Sequence, residues 1–138
     1  MIYVGYIWRM TNKNITSTDI ELSKVYFTLL VEVSLRGETI SYGELVELSK
    51  QRYKKIKDVQ KGVAVTVGRR LEVLRQHTDK FKLSDISCLC VSKGSNKSGD
   101  AYHLDSEKER KKVYKTNWLD YFCQVMSSLE DTRTELRL

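Results

Sequence analysis

Two cysteines separated by one residue, Cys88 and Cys90, are the first candidates for chemistry in this sequence. They alternate with Leu89 and Val91, so in a strand both thiols would point to the same side. A Cys-x-Cys pair lacks the two further ligands, at zinc-like spacing, that a tetrahedral zinc site requires. We therefore predict that both are buried structural thiols, and that Cys123 is also a core residue.

The sequence contains two histidines, and neither has the sequence neighbours of a catalytic group. His77 stands at the end of a predicted helix, where an imidazolium would complement the helix dipole. His103 lies between Asp100 and Asp105 and is a conceivable acid or base, but no nucleophile motif accompanies it. Motifs of phosphate loops, dinucleotide sites, serine hydrolases and zinc proteases do not occur. We expect no enzyme activity, no cofactor and no bound metal.

Basic residues give the chain its clearest functional signal. Lys and Arg number 24 against 18 Asp and Glu, and the formal net charge of +6 favours polyanionic partners. Lysines cluster before a helix predicted at 63–77, Arg69 and Arg70 lie on that helix, and Lys93 and Lys97 flank a turn after it. In a winged helix these three regions can converge on one face, where loop and wing contact phosphates and the helix enters a groove.

The elements that would position these residues predict an α+β fold, with a winged-helix-like helical core and a small β-hairpin or sheet. A strand is predicted at 2–8, which is rich in β-branched and aromatic residues. A helix follows at 17–35, with Ser17 or Thr18 as its cap and one buried apolar stripe. Gly37 is expected to end it in a left-handed conformation.

A second helix is predicted from the capping-box spacing of Ser41 and Glu44, because each side chain can satisfy the other residue's backbone donor. This helix begins at Tyr42 and runs to about residue 50. The basic stretch 51–62 is expected to form a loop or a frayed helical extension.

The helix predicted at 63–77 has two distinct faces at 100° per residue. The inward face consists of Ala64, Val67, Leu71 and Leu74. The outward face consists of Gly62, Val65, Thr66, Arg69, Val73 and Gln76, with Arg70 on its flank. Two valines on a solvent face suggest that this face touches a partner.

The rest of the chain is predicted to complete a single domain over 1–138, with the winged-helix-like core at about 18–104. The apolar run 86–92 predicts a strand, which a Gly- and Ser-rich turn joins to a returning strand at 101–104. A closing helix is predicted at 118–129, followed by a frayed tail. The charged run 108–112 is expected to be a solvated helical face.

Several motifs in the middle of the chain resemble the C-terminal domain of the DNA alkylguanine alkyltransferases and their alkyltransferase-like relatives. Residues 37–46, GETISYGELV, are similar to the family pattern G-E-x-x-[ST]-Y-G-E-[LI]-A. Residues 65–68, VTVG, correspond to the R-A-V-G start of the family's recognition helix, and 86–91, ISCLCV, to its I-P-C-H-R-V strand. The resemblance spans about residues 25–102. Residues 90–93 and 98–102 are also similar to small uncharacterised bacterial and phage proteins that share the YGEL helix.

This sequence departs from the family pattern at residues that the enzymes need for alkyl transfer. In the enzymes the cysteine of P-C-H-R accepts the alkyl group, and the adjacent histidine activates it. Here Cys88 is followed by Leu89 and preceded by Ser87, so no sequence neighbour helps the thiol to ionise. Val65 replaces the arginine that props open the DNA stack in the enzymes. The resemblance therefore implies a winged-helix fold and a DNA-facing helix, and it argues against alkyl transfer.

We predict from these observations a non-enzymatic nucleic-acid-binding protein of the cytoplasm, with DNA favoured over RNA. An acidic protein bound by the same face, as in a phage accessory or counter-defence protein, is the alternative, and a cryptic thiol-dependent alkyltransferase comes last. No apolar run is long enough for a membrane helix, so no membrane partner is expected. The candidate interface consists of Tyr42, Lys54, Lys55, Lys61, Val65, Thr66, Arg69, Arg70, Lys93 and Lys97.

Overall fold

A computed structural model describes residues 15–93 and 106–136 of the chain. It is mostly helical with a small two-stranded parallel sheet, which confirms the predicted α+β class. The predicted strand at 2–8, the returning strand at 101–104 and Lys97 lie outside the described residues. No helix in the described parts combines the length and the apolar character needed to cross a lipid bilayer.

Helix α1, Ser17–Leu35, is the central element of the fold. Its cap is Thr16, one residue before the predicted position, and a capping box joins Thr16 to Asp19. The predicted stripe is buried, and it forms part of a broad apolar face, because the other described helices and the turn before the second strand all pack against α1. A narrow polar stripe of α1 stays partly exposed: Glu21, Lys24, Thr28 and Glu32. Gly37 follows with φ of +66°, which confirms the predicted left-handed cap.

Strand β1, Ile40–Ser41, leads directly into helix α2, Tyr42–Arg52. The predicted capping box is present, since Ser41 Oγ accepts from Glu44 N and the Glu44 carboxylate accepts from Ser41 N. Within the stretch expected to be a loop or a frayed extension, α2 continues to Arg52 and a short helix α3 forms at Lys57–Gln60. The Gln60 amide fastens α3 to the end of α2, because Nε2 donates to the Lys50 and Tyr53 carbonyls.

Helix α4, Ala64–Asp79, matches the predicted helix within two residues at its ends. Its inward residues Val67, Leu71 and Leu74 are buried as predicted, but Ala64 is exposed and Val73 is only 2% exposed. Gly62, predicted on the outward face, is buried because it packs against Tyr26 on α1. The prediction for Val73 is wrong because a later helix covers the second half of α4. That contact also buries His77, one turn beyond Val73.

Residues 86–92 do not form the single strand that their apolar run predicts. A 3₁₀ helix, Ile86–Leu89, precedes strand β2, Cys90–Val91, which pairs in parallel with β1 through Ile40↔Cys90 and Ser41↔Val91. The Asp85 carboxylate accepts from both the backbone N–H and the hydroxyl of Ser87, over 3.0 and 2.6 Å. These local hydrogen bonds stabilise a turn at this position instead of an extended strand.

The C-terminal part comprises helix α5, Ser106–Lys115, a 3₁₀ turn, Trp118–Asp120, and helix α6, Phe122–Leu136. The expectation of a frayed tail is wrong, because Arg133 pairs with Glu21 on α1 and keeps the last turns helical. Cys123 is exposed, so its predicted place in the core is also wrong. The charged run 108–112 is only partly solvated, since two of its residues are buried against the first 3₁₀ helix.

Candidate nucleic-acid interface

The basic turn, defined here as Lys54, Lys55 and Lys57, lies between α2 and the start of α3. All three side chains are exposed, and no carboxylate of the described residues comes within 4.0 Å of their ammonium groups. Lys61, at the end of α3, is also exposed but lies 3.9 Å from the Asp58 carboxylate. Helix α2, which precedes the basic turn, packs against both α3 and α4.

The α4 tip, defined as Ala64, Val65, Gly68 and Arg69, is the exposed face of the first turns of α4. Val65 is 91% exposed, the most exposed large hydrophobic residue that the structure describes. The residue preceding α4, Val63, makes no side-chain cap, and the first turn contains no acidic residue. The amide groups at this end of α4 therefore present an unneutralised positive dipole to solvent.

Arg69 and Arg70 both donate through Nε to Asp19 on α1, each over 2.9 Å. The Arg70 side chain is only 12% exposed and also bonds the hydroxyl of Thr66, so it is removed from the interface. The Arg69 side chain remains 48% exposed and can contact a ligand without leaving Asp19. Glu72, an acidic residue on the same helix, is bound by Arg75 and not by Arg69 or Arg70.

Asp19 is a residue that no sequence motif singled out. Burial raises the pKa of its carboxyl, but the Thr16 backbone N–H and the Arg69 and Arg70 guanidinium groups outweigh burial and lower the pKa overall. Asp19 is therefore ionised at neutral pH and holds the outward arginine of α4 in place.

Lys93 and Tyr42 were predicted to share one interface with the basic residues around α4, and their surroundings in the structure are different. Lys93 is exposed beside a groove of about 780 Å³ along β1 and α2. The same groove is lined by Glu38, Glu44 and Glu47, so its charge is mixed. Tyr42 is half-buried at the start of α2. Lys61 follows α3, and Val65, Thr66 and Arg69 lie in the first turns of α4, so these four predicted residues follow the basic turn closely along the chain.

Three of the candidate catalytic residues, Cys88, Cys90 and His77, are buried in the core, and His103 lies outside the described residues. Cys88 and Cys90 are fully buried, as predicted, and burial raises the pKa of the Cys90 thiol. His77 is buried with Nδ1 2.7 Å from Ser128 Oγ, and burial, aided by the Lys80 ammonium, lowers its pKa to about 3. His77 is therefore neutral, which overturns its predicted role as a cation at the helix end. Among residues 15–93 and 106–136, no cluster of three potential metal ligands occurs.

No protein-family model, curated protein or solved structure matches this chain. The resemblance to the alkyltransferase superfamily accordingly remains a prediction from the quoted motifs.

Proposed function

We propose that this chain is a non-enzymatic, winged-helix-like protein that binds nucleic acid through the basic turn and the α4 tip. One observation carries the proposal. Three exposed lysines without acidic partners among the described residues precede α4 by one short helix, and the first turn of α4 is uncapped, free of acidic residues and exposed at Ala64 and Val65. Lysines at this position would neutralise phosphates, and the positive helix end would attract one.

DNA is the favoured nucleic acid because of the side chains on the α4 tip. Three of its four residues are small or short, and they allow the backbone of α4 to approach base edges closely. The major groove of B-form DNA admits an α-helix, whereas the major groove of A-form RNA is deep and narrow. Apolar side chains such as Val65 would contact thymine methyl groups there.

Two further points belong to the same proposal. We assign no alkyl transfer to Cys88, because its thiol is fully buried and Leu89 replaces the activating histidine. We also propose a cytoplasmic location, because the three cysteines are free thiols, as is usual in reducing compartments.

The test is a titration of labelled double-stranded and single-stranded DNA and RNA, followed by fluorescence anisotropy at several salt concentrations. We expect duplex DNA to bind most tightly and its affinity to fall steeply with salt. The variant K54A/K55A should lower the salt slope by about two, one for each lost phosphate contact. Its matched control, K111A/K115A, removes two exposed lysines of α5 and should retain the slope.

Equal slopes for the two double variants would remove the basic turn from the interface. If no nucleic acid binds at any salt concentration, the proposal fails and the acidic protein partner becomes the better explanation of the same lysines.

A further inference from the structure

Arg110 on α5 is a buried cation without a partner among the described residues. The residue is only 7% exposed, and its Nη1 atom is buried without a hydrogen-bond acceptor. No carboxylate in the described parts of the chain lies within 4.0 Å of its guanidinium, although other arginines there form ion pairs. Because an arginine side chain remains charged at any physiological pH, this charge is not removed by deprotonation.

Two polar neighbours of Arg110 in the sequence, Glu109 and Tyr114, are bound to other groups. Glu109 accepts the backbone N–H of Asp85 over 3.1 Å, and its other oxygen lies 3.9 Å from the Lys112 ammonium. Tyr114, one turn beyond Arg110, donates its hydroxyl to the Glu38 carbonyl over 2.7 Å. Burial raises the pKa of Tyr114, so the phenol stays protonated and supplies no negative charge.

A buried charge with no counter-charge is unfavourable, and an apolar side chain of similar size would fill the same space at less cost. The guanidinium is thus explained better by a ligand than by packing. Its flat array of N–H donors matches the oxygen atoms of a phosphate group in a bidentate manner.

We propose that Arg110 anchors a phosphate-binding site on α5, the helix that packs against the 3₁₀ helix Ile86–Leu89. The site does not depend on the nucleic-acid interface proposed above. Ser34 bonds the Val113 carbonyl at one end of α1, whereas Asp19 holds the α4 arginines at the other. About 22 Å of helix separates these two contacts at 1.5 Å per residue.

The first experiment compares thermal unfolding in sodium phosphate and in sodium chloride at equal ionic strength. For the wild-type protein we expect a saturable rise in Tm of about 5 °C when phosphate reaches about ten times its Kd. The variant Arg110→Met should start with an equal or higher Tm in chloride, since it removes the uncompensated charge, and should lose the response to phosphate. The matched control Lys111→Met, on the exposed side of α5, should keep the response.

Nuclear magnetic resonance gives a reading on the unaltered protein. The side-chain Nε–H signal of Arg110 should shift with phosphate along the same saturation curve as Tm. A wild-type Tm that does not respond to phosphate, an unmoved Arg110 signal, or equal responses in wild type and Arg110→Met would each overturn the proposal.

Binding of a DNA duplex to Arg110→Met distinguishes the source of the phosphate. Weaker duplex binding, together with a lost phosphate response, assigns the site to a nucleic-acid strand. Unchanged duplex binding with a lost phosphate response assigns it to free phosphate or a phosphorylated small molecule, and leaves the interface on α4 unaffected.

Discussion

The carboxylate of Asp19 fixes α4 to α1, because its Oδ1 accepts a hydrogen bond from Nε of Arg70 over 2.9 Å. The second oxygen, Oδ2, accepts from Nε of Arg69 at the same distance and from the backbone N–H of Thr16 over 3.0 Å. One buried carboxylate therefore caps α1 and orients both arginines of α4. A second polar contact between the same helices supports this arrangement, since the Ser23 hydroxyl donates to the Arg70 carbonyl over 2.9 Å.

Replacement Asp19→Asn should destabilise the protein by about 3 kcal/mol at neutral pH, because it leaves buried Arg70 without its counter-charge. The pKa of Asp19 is lowered in the folded protein, so its stabilising effect is complete above the unfolded pKa of about 3.9. It is lost as the pH falls through the lower, folded pKa. Urea unfolding of the wild type and of Asp19→Asn should show this difference in the free energy of unfolding at pH 7, and the difference should become smaller below about pH 4.

Asp58→Asn is the matched control for this replacement. Asp58 forms only a partly exposed 3.9 Å pair with Lys61, and its loss should cost less than about 1 kcal/mol. Equal costs for the two asparagine variants would contradict the role given to Asp19.

The lowered pKa of His77 predicts a second loss of stability in acid, which begins at a higher pH than the loss from Asp19. Its folded pKa of about 3 lies below the unfolded value of about 6.5, so the unfolded chain binds the proton first. The contribution of the neutral imidazole is complete above about pH 6.5 and declines as the pH falls toward about 3, by up to about 1.4 kcal/mol per pH unit. His77→Gln should flatten the unfolding free energy between these limits, and a profile as steep as that of the wild type would exclude His77 as its source.

Two valines of α4 test the observed division between its exposed and buried faces. Val65→Ala should change the free energy of unfolding by less than about 0.5 kcal/mol, because the side chain is 91% exposed. Val73→Ala should cost about 2 kcal/mol, because it leaves a cavity under α6. Denaturant unfolding of the two variants makes the comparison, and the reverse order of costs would contradict the structure.

Val65→Glu separates binding from folding at the α4 tip. A carboxylate in the first turn of α4 complements the helix dipole and should leave stability equal or slightly higher. If the tip approaches phosphates, the same charge should lower duplex affinity at least about tenfold, equal to about 1.4 kcal/mol. Unchanged affinity in a folded Val65→Glu protein would place binding elsewhere.

Gly62 and Tyr26 should show strong coupling in a double-mutant cycle. A Cβ atom at Gly62 would lie 3.0 Å from the Tyr26 hydroxyl oxygen and 3.3 Å from the Val59 carbonyl oxygen, so Gly62→Ala should cost about 1–2 kcal/mol. Tyr26→Phe should be nearly neutral, because the hydroxyl is buried without a partner among the described residues. In the double variant the missing hydroxyl should recover part of the cost of Gly62→Ala, and strictly additive costs would contradict the contact.

Local signals in the sequence predicted the elements well. The Ser41–Glu44 capping box and the left-handed Gly37 are present because both depend on residues within a few positions. The Asp85–Ser87 turn that starts the 3₁₀ helix is also a local signal, because it depends on residues two positions apart. The prediction of a strand at 86–92 followed the apolar run instead.

Contacts between distant residues were not predictable from one sequence. Val73 and His77 are buried by α6, which lies about fifty residues further along the chain. Arg69 and Arg70 were expected to solvate α4 or reach a ligand, and their acidic partner is equally distant on α1. Lysines 54, 55 and 57 could be placed at the surface from charge alone, whereas nothing local distinguishes buried Arg110 from its exposed neighbours.

The ion pair between Lys24 on α1 and Glu130 on α6 joins residues 106 positions apart. A ribosome adding about 5–20 residues per second needs about 5–20 s to pass from one to the other. During that interval the broad apolar face of α1 has emerged without the helix that covers Phe27. The contacts that bury this part of α1 therefore form only after α6 has been translated.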